Sequence, residues 1–320
     1  MSSQQILLKG YKPVEVLWYG DRAVSFGGDT PSYRDTIQYY AITSTGNASD
    51  FGDLSENANF GMAGSGRGRG VFGKGSAEGY SNKIQKVTIK TTANASDFGD
   101  LTVARDQCTC NAPSNGVRCL WAAGAVPGGS DENRIGYTTI MGNGGASDFG
   151  DHASGQPRKQ QAAVSNATRA VWCGGYLYNN PGATMQYVTI MTTGNSASFG
   201  NMANGRRSGA GAGSGTLGRG IVGGGVSPTS PGSSGTYNYI DYFAVDTTGD
   251  GTDFGDLTQA RYVLGGTANA TRATFCGGFK LGPSQTLNRI DYVEMANTGN
   301  ASDFGDMIET IEKNAATSGD

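Results

Sequence analysis

Charge is scarce in this chain. Only 16% of its 320 residues are Asp, Glu, Lys or Arg, and the formal net charge is -3. With no basic surplus and no Lys/Arg block, the electrostatic footprint of a nucleic-acid or anionic-membrane binder is missing, and neither partner is expected. Long apolar runs are missing too: nothing approaches the roughly 18 apolar residues of a membrane-spanning helix. The opening MSSQQILLKGYKPVEVLWYG has no cationic start and no apolar stretch of signal-peptide length, so neither a signal peptide nor membrane insertion is expected. Cysteine is sparse and odd in number (Cys108, Cys110, Cys119, Cys173, Cys276). Cys108 and Cys110 form CxC rather than the CxxC of a zinc site, so free thiols are expected instead of a disulfide framework. No P-loop, dinucleotide-binding fingerprint or HExxH motif occurs, and no catalytic residue, cofactor site or metal site is assigned.

Glycine and aromatics are what the chain has in quantity, with 53 Gly, 15 Tyr and 12 Phe. That balance is too aromatic for a disordered polymer and too rich in Gly for a helical protein; without a G-X-Y period it is not collagen-like. It suits many short strands joined by tight turns. A motif around Asp-Phe-Gly-Asp returns six times, with its phenylalanines at Phe51, Phe98, Phe149, Phe199, Phe254 and Phe304. In phase with it runs a second motif, an arginine opening a short apolar run that ends in small residues, at Arg22, Arg69, Arg118, Arg169, Arg219 and Arg272. A third element lies between them: IQYYAI from Ile37, IQKVTI from Ile84, IGYTTI from Ile135, MQYVTI from Met185, IDYFAV from Ile240 and IDYVEM from Ile290. Its β-branched and aromatic residues read as strand. Turn signals such as Gly46-Asn47, Gly194-Asn195, Gly249-Asp250 and Gly299-Asn300 lead into the Phe-Gly-Asp strand.

Three strands plus a fourth segment before the next arginine, at a period near 50 residues, predict an all-β six-bladed propeller of four-stranded antiparallel blades. The repeat resembles the kelch family: a double glycine closes the arginine strand at Phe26-Gly27-Gly28 and Cys276-Gly277-Gly278, and Ala-Arg pairs stand at Ala104-Arg105 and Ala260-Arg261. The resemblance covers residues 12–306. The expected layout is a single domain over 1–320, with blades at about 20–67, 68–116, 117–167, 168–217, 218–270 and 271–306. Residues 12–19 are expected to be an N-terminal strand that completes the last blade, and 307–320 a peripheral tail.

The repeated residues read as architecture. The six arginines could pair with the acids after each Phe-Gly (Asp53, Asp100, Asp151, Asp256, Asp306), with an arginine-lined channel mouth for an anion as the alternative. Cys173 and Cys276 read as small core residues, and the lone His152 as a surface turn. Asn47, Asn94, Asn166, Asn269 and Asn300 fit a glycosylation pattern but read as turn chemistry. The acids Asp246, Asp250, Asp253 and Asp256 read as a hairpin rather than a cation loop. Binding is expected in the longest departures from the repeat, 105–116, 125–134, 176–184 and 226–238, where the candidate contact residues are Tyr176, Tyr178, Asn179, Asn180, Tyr237 and Tyr239.

The repeat wording TGNASDFGDLTxAR, followed by an arginine-apolar-glycine strand, resembles kelch-like proteins of marine bacteriophages, cyanophages included, found among virion structural and tail-fibre-like components. That resemblance implies a non-enzymatic particle component in the tail or on the capsid, with other virion proteins and a host-surface glycan or protein as partners, assembled in the host cytoplasm. A cellular kelch-type interaction adaptor and a carbohydrate-active enzyme are the other readings; the copper chemistry of kelch oxidases would need more than the one histidine present.

Overall fold

The computed structural model describes residues 19–75, 79–108, 111–128, 130–153, 158–177, 180–214, 217–227 and 235–319. The described residues contain no helix. Their main sheets are five of four strands and one of three, all antiparallel, set around one axis as the six blades of a propeller. The second blade shows the pattern: Met62–Gly66 lies innermost, then Arg69–Gly73, Ser81–Thr88 and, at the rim, Ser96–Arg105. The arginine strands are buried on both sides because each is covered by a neighbouring blade. The rim strands bury little besides their phenylalanine.

Each phenylalanine of the repeat sits between two blades at no more than 4% exposure. Burial of such a ring contributes roughly 1.5–3 kcal/mol, and it is repeated six times. Near the axis the blades converge and bulk has no room. An added Cβ at Gly211 would lie 2.0 Å from the Ala163 carbonyl oxygen of the preceding blade, so these innermost strands are built largely from Gly, Ala and Ser.

Two expectations about the chain's organisation change. The fourth segment of each unit belongs to the following blade, as that blade's innermost strand: Ala162–Ser165 pairs with Arg169–Cys173, and Gly265–Ala268 with Arg272–Cys276. Closure brings in the N-terminal part of the chain, as expected, but through the first blade. Among the described residues the last blade is made of Gly265–Ala268, Arg272–Cys276, Arg289–Glu294 and Ser302–Asp306; of residues 12–19, expected to complete it, all but Tyr19 lie outside the described residues. The two ends of the chain do meet in one sheet, that of the first blade. There the N-terminal strand Arg22–Asp29 pairs with Ala315–Gly319, in register from Arg22 opposite Gly319 to Phe26 opposite Ala315. Residues expected to form a peripheral tail therefore supply an innermost strand. The physical reason is composition: Ala-Ala-Thr-Ser-Gly has the small side chains that the axis demands, as the other innermost strands do.

The third blade is the exception. Its innermost segment is held through a single bridge, Ser114 to Cys119, where Pro113 has no N–H for the ladder. Asn111, just before it, crosses the axis. Its amide donates to the carbonyls of Gly266 (2.5 Å) and Ala316 (3.3 Å), and its side-chain oxygen accepts from the Gly211 N–H (3.1 Å). What remains along the axis is a cavity of about 50 Å³, large enough for water only.

Candidate functional site

The propeller has two unlike faces. At one, every arginine of the repeat reaches into the blade ahead and donates to backbone carbonyls: Arg22 to Ile89 and Lys90, Arg69 to Ile140 and Gly142, Arg118 to Ile190, Arg169 to Val245, Arg219 to Met295 and Ala296, and Arg272 to Ile42 and Thr43. Five of the guanidinium groups also lie 4.3–5.2 Å over the tyrosine rings of their own blades, Tyr39, Tyr137, Tyr187, Tyr242 and Tyr292. Those rings meet Phe51, Phe149, Phe199, Phe254 and Phe304 edge-on. In the second blade Lys86 takes the tyrosine's place, over Phe98. The acids after Phe-Gly do not serve as the arginines' partners; the only repeat arginine in an ion pair among the described residues is Arg272, with Glu294. These arginines are inter-blade staples, and with the axis blocked they line no channel mouth.

The Asn-Ala-Ser/Thr turns are spent in the same way. Side-chain oxygens of Asn47, Asn94 and Asn300 accept from the backbone N–H of Asp306, Asp53 and Asp256 in the preceding blade. Asn166 and Asn269 each accept from backbone N–H groups two and three residues on. In the acidic hairpin, Asp246 accepts from Asn166 and Asp250 from the Asn201 N–H.

The opposite face carries the described parts of the long departures 125–134, 176–184 and 226–238 and the start of 105–116, whose later residues run along the axis. Six residues at equivalent positions of the blade connections, Phe60, Gln107, Gln160, Ser208, Val263 and Lys313, have φ of 48–58°. Five backbone hydrogen bonds join them in a ring: Phe60 to Lys313, Lys313 to Val263, Val263 to Ser208, Ser208 to Gln160 and Gln160 to Gln107. At the sixth step the Gln107 N–H turns instead to the Asp106 carboxylate. Outside this ring stand the aromatics. Tyr176 lies between Lys159 (5.7 Å) and Arg207 (4.7 Å). Backbone bridges run from Arg207 to Val226 and from Val226 to Thr236, which places the stacked pair Tyr237 and Tyr239 (4.9 Å, 28°) in the next blade. Tyr239 is exposed and Tyr237 half-buried. Tyr262 and Phe279 form a further edge-on pair, and burial pushes the Tyr262 phenol up.

Most cations here are matched: Lys159 with Asp131, Lys313 with Asp29 and Glu312, Arg34 with Glu309. Arg207 forms no ion pair among the described residues and donates to the neutral amide oxygen of Gln160. A guanidinium over one tyrosine beside a stacked tyrosine pair suits a polar or glycan-like ligand, by stacking and forked hydrogen bonds. Of the residues singled out by sequence, Tyr176, Tyr237 and Tyr239 lie on this face, in neighbouring blades, with only Tyr237 and Tyr239 in mutual contact among the described residues. Tyr178, Asn179 and the side chain of Asn180 lie outside the described residues. Lys159 and Arg207 were missed, since nothing in a spacing of about 50 residues marks them as neighbours of Tyr176.

His152 is a correction. It is buried at 1% exposure, edge-on to Trp172 (5.0 Å), with Nδ1 on the Gln186 amide oxygen (3.2 Å). It occupies the position that Leu54, Leu101, Met202, Leu257 and Met307 fill with core side chains elsewhere, and burial pulls its pKa down to about 4. Cys119, Cys173 and Cys276 are free and buried, their thiols pushed up by desolvation; Cys108 is buried as well, and Cys110 lies outside the described residues. No helix of the described chain is long and apolar enough to cross a membrane. The architecture defines the class: a six-bladed β-propeller, a scaffold compatible with an interaction or structural module. No protein-family model matches the chain, and no curated protein matches it in sequence.

Proposed function

We propose that the protein is a non-enzymatic binding propeller of a bacteriophage particle, placed in the tail or fibre or on the capsid surface, where it aids attachment to the host. The observation that carries this reading is the division of labour between the faces. Regular turns and arginine staples occupy one face, and the strand ends at residues 22 and 319 both reach it. The described parts of the irregular connections, with Tyr176, Arg207, Tyr237 and Tyr239, occupy the other. A module held through the stapled face presents the loop face outward, to a host-surface glycan or protein. The repeat wording, which resembles that of marine phage virion proteins, supports the particle context. Cryo-electron microscopy of particles from the source, with mass spectrometry of their contents, tests it. Several copies on a tail or capsid, loop face outward, is the expected result. Presence only in soluble cell extract would overturn it and favour a cellular interaction adaptor.

A further inference from the structure

The second blade breaks the repeat at one place on the stapled face. In the other five, a tyrosine of the third strand lies under the repeat arginine and meets the rim phenylalanine. Here the residue is Lys86, and a cavity of about 280 Å³ opens beside it. That is room for a polyatomic group rather than for one water. Arg69 and Lys86 both line it, with Thr88, Thr91, Asn94 and Ser96. The register places them there. Arg69 lies opposite Thr88 and Lys86 opposite Ser96, so Lys86 is the diagonal neighbour of Arg69 on one face of the sheet.

Both cations meet only neutral acceptors. Arg69 Nη1 donates to the carbonyls of Ile140 (2.9 Å) and Gly142 (3.0 Å), and Lys86 Nζ to the Asn143 amide oxygen (3.1 Å). No hydrogen bond among the described residues uses Arg69 Nε or Nη2, and neither cation forms an ion pair there. No acid lines the cavity. Asp97, next to Ser96, pairs with Gln85 and so belongs to the other face of the sheet. The remaining groups can donate. Asn94 spends its side-chain oxygen on the Asp53 N–H (3.0 Å), which leaves its amide N–H groups, and the hydroxyls of Thr88, Thr91 and Ser96 belong to exposed residues. Two like charges on one face repel where the other blades set an uncharged ring under the arginine, and an anion seated between them relieves that repulsion.

We infer that this cavity binds a phosphate group, as the free ion or as a monoester, between Arg69 and Lys86. The site is separate from the ligand surface proposed on the loop face. A phosphate carries close to two negative charges and at least three acceptor oxygens, which matches two cations and donors on several sides; a carboxylate offers one charge and two oxygens. ³¹P line widths of inorganic phosphate and of glycerol phosphate, titrated with the protein at constant ionic strength, test it. Saturable broadening that sulfate reverses and acetate does not is the expected result. Lys86→Tyr, which copies the other five blades and fills the cavity, should abolish the broadening, and Lys86→Gln should weaken binding about tenfold or more. No saturable broadening, displacement by acetate as effective as by sulfate, or an unchanged response in Lys86→Tyr would overturn the site. Should Lys86→Tyr fail to fold, Lys86→Gln decides, and an unchanged affinity there sinks the proposal. Tighter binding of glycerol phosphate identifies an ester as the source of the group; equal or weaker binding identifies the free ion.

Discussion

At the scale of single residues, buried polar groups carry the sharpest consequences. Arg261 and Asp291 are both fully buried, with the Thr258 N–H and hydroxyl on the carboxylate. Removal of one partner strands a charge in the core, so Asp291→Ala should lose about 3–5 kcal/mol in urea unfolding. His152 sets a pH dependence. Its folded-state pKa of about 4 lies below the 6.5 of the unfolded chain, with Arg158 and Arg105 adding to the effect of burial. The unfolded chain therefore takes up the proton first. Stability is complete above about pH 6.5 and falls as pH drops towards 4, by at most about 3 kcal/mol from this residue. His152→Leu, which copies Leu101 and Leu257, should flatten that part of the stability profile. On the loop face, Tyr237→Ala and Arg207→Ala should each weaken ligand or cell binding about tenfold or more while leaving the melting temperature within a few degrees. A glycan array or cell-binding assay reads the first effect and calorimetry the second. His152 was illegible as a core residue because a single histidine beside Asp151 looks like any polar turn. Only its alignment with Leu54, Met202 and Met307 exposes the position it fills.

At the scale of the element, the unit is a strand plus the contacts it makes with its neighbour. Arg219 joins two carbonyls of the next blade, at 2.7 and 2.8 Å, and covers Tyr242. Lysine keeps the charge but not the fork, so Arg219→Lys should cost about 1–2 kcal/mol in chemical denaturation. The Phe-Gly-Asp strands depend on backbone space: Gly255 has φ +147°, and a Cβ there would lie 2.4 Å from the Gly299 carbonyl oxygen. The three strands of each unit were legible because their residue types repeat in phase. The assignment of the fourth was not. A run such as Met62–Gly66 or Ala210–Ser214 has none of the β-branched and aromatic pattern that marks a strand. Chain order alone cannot say whether such a run ends one blade or begins the next. The pairing is decided by convergence at the axis, a property of the assembled ring.

At the scale of the whole molecule, the ring is held by what joins its ends. Removal of residues 315–319 should leave the first blade without its innermost strand and expose Arg22–Asp29 as an open edge. Hydrogen exchange should then show protection lost first in the first and second blades, with a lower and broader melting transition. The candidate face was half legible: the unequal loops flagged it and supplied the three tyrosines, while the cations that meet Tyr176 come from blade connections remote in sequence.

The position of that closing strand also has a meaning in time. Synthesis runs at about 5–20 residues per second and releases the chain from its N-terminus onward. The first arginine strand emerges before its partner and must wait, its inner edge bare, until the five later blades and residues 315–319 have left the ribosome. Five blades can assemble while translation proceeds; the first cannot be finished until residue 319 has been added. A product cut short anywhere upstream is left with an unpaired edge, so chaperones and proteases can tell a prematurely terminated copy from a finished one.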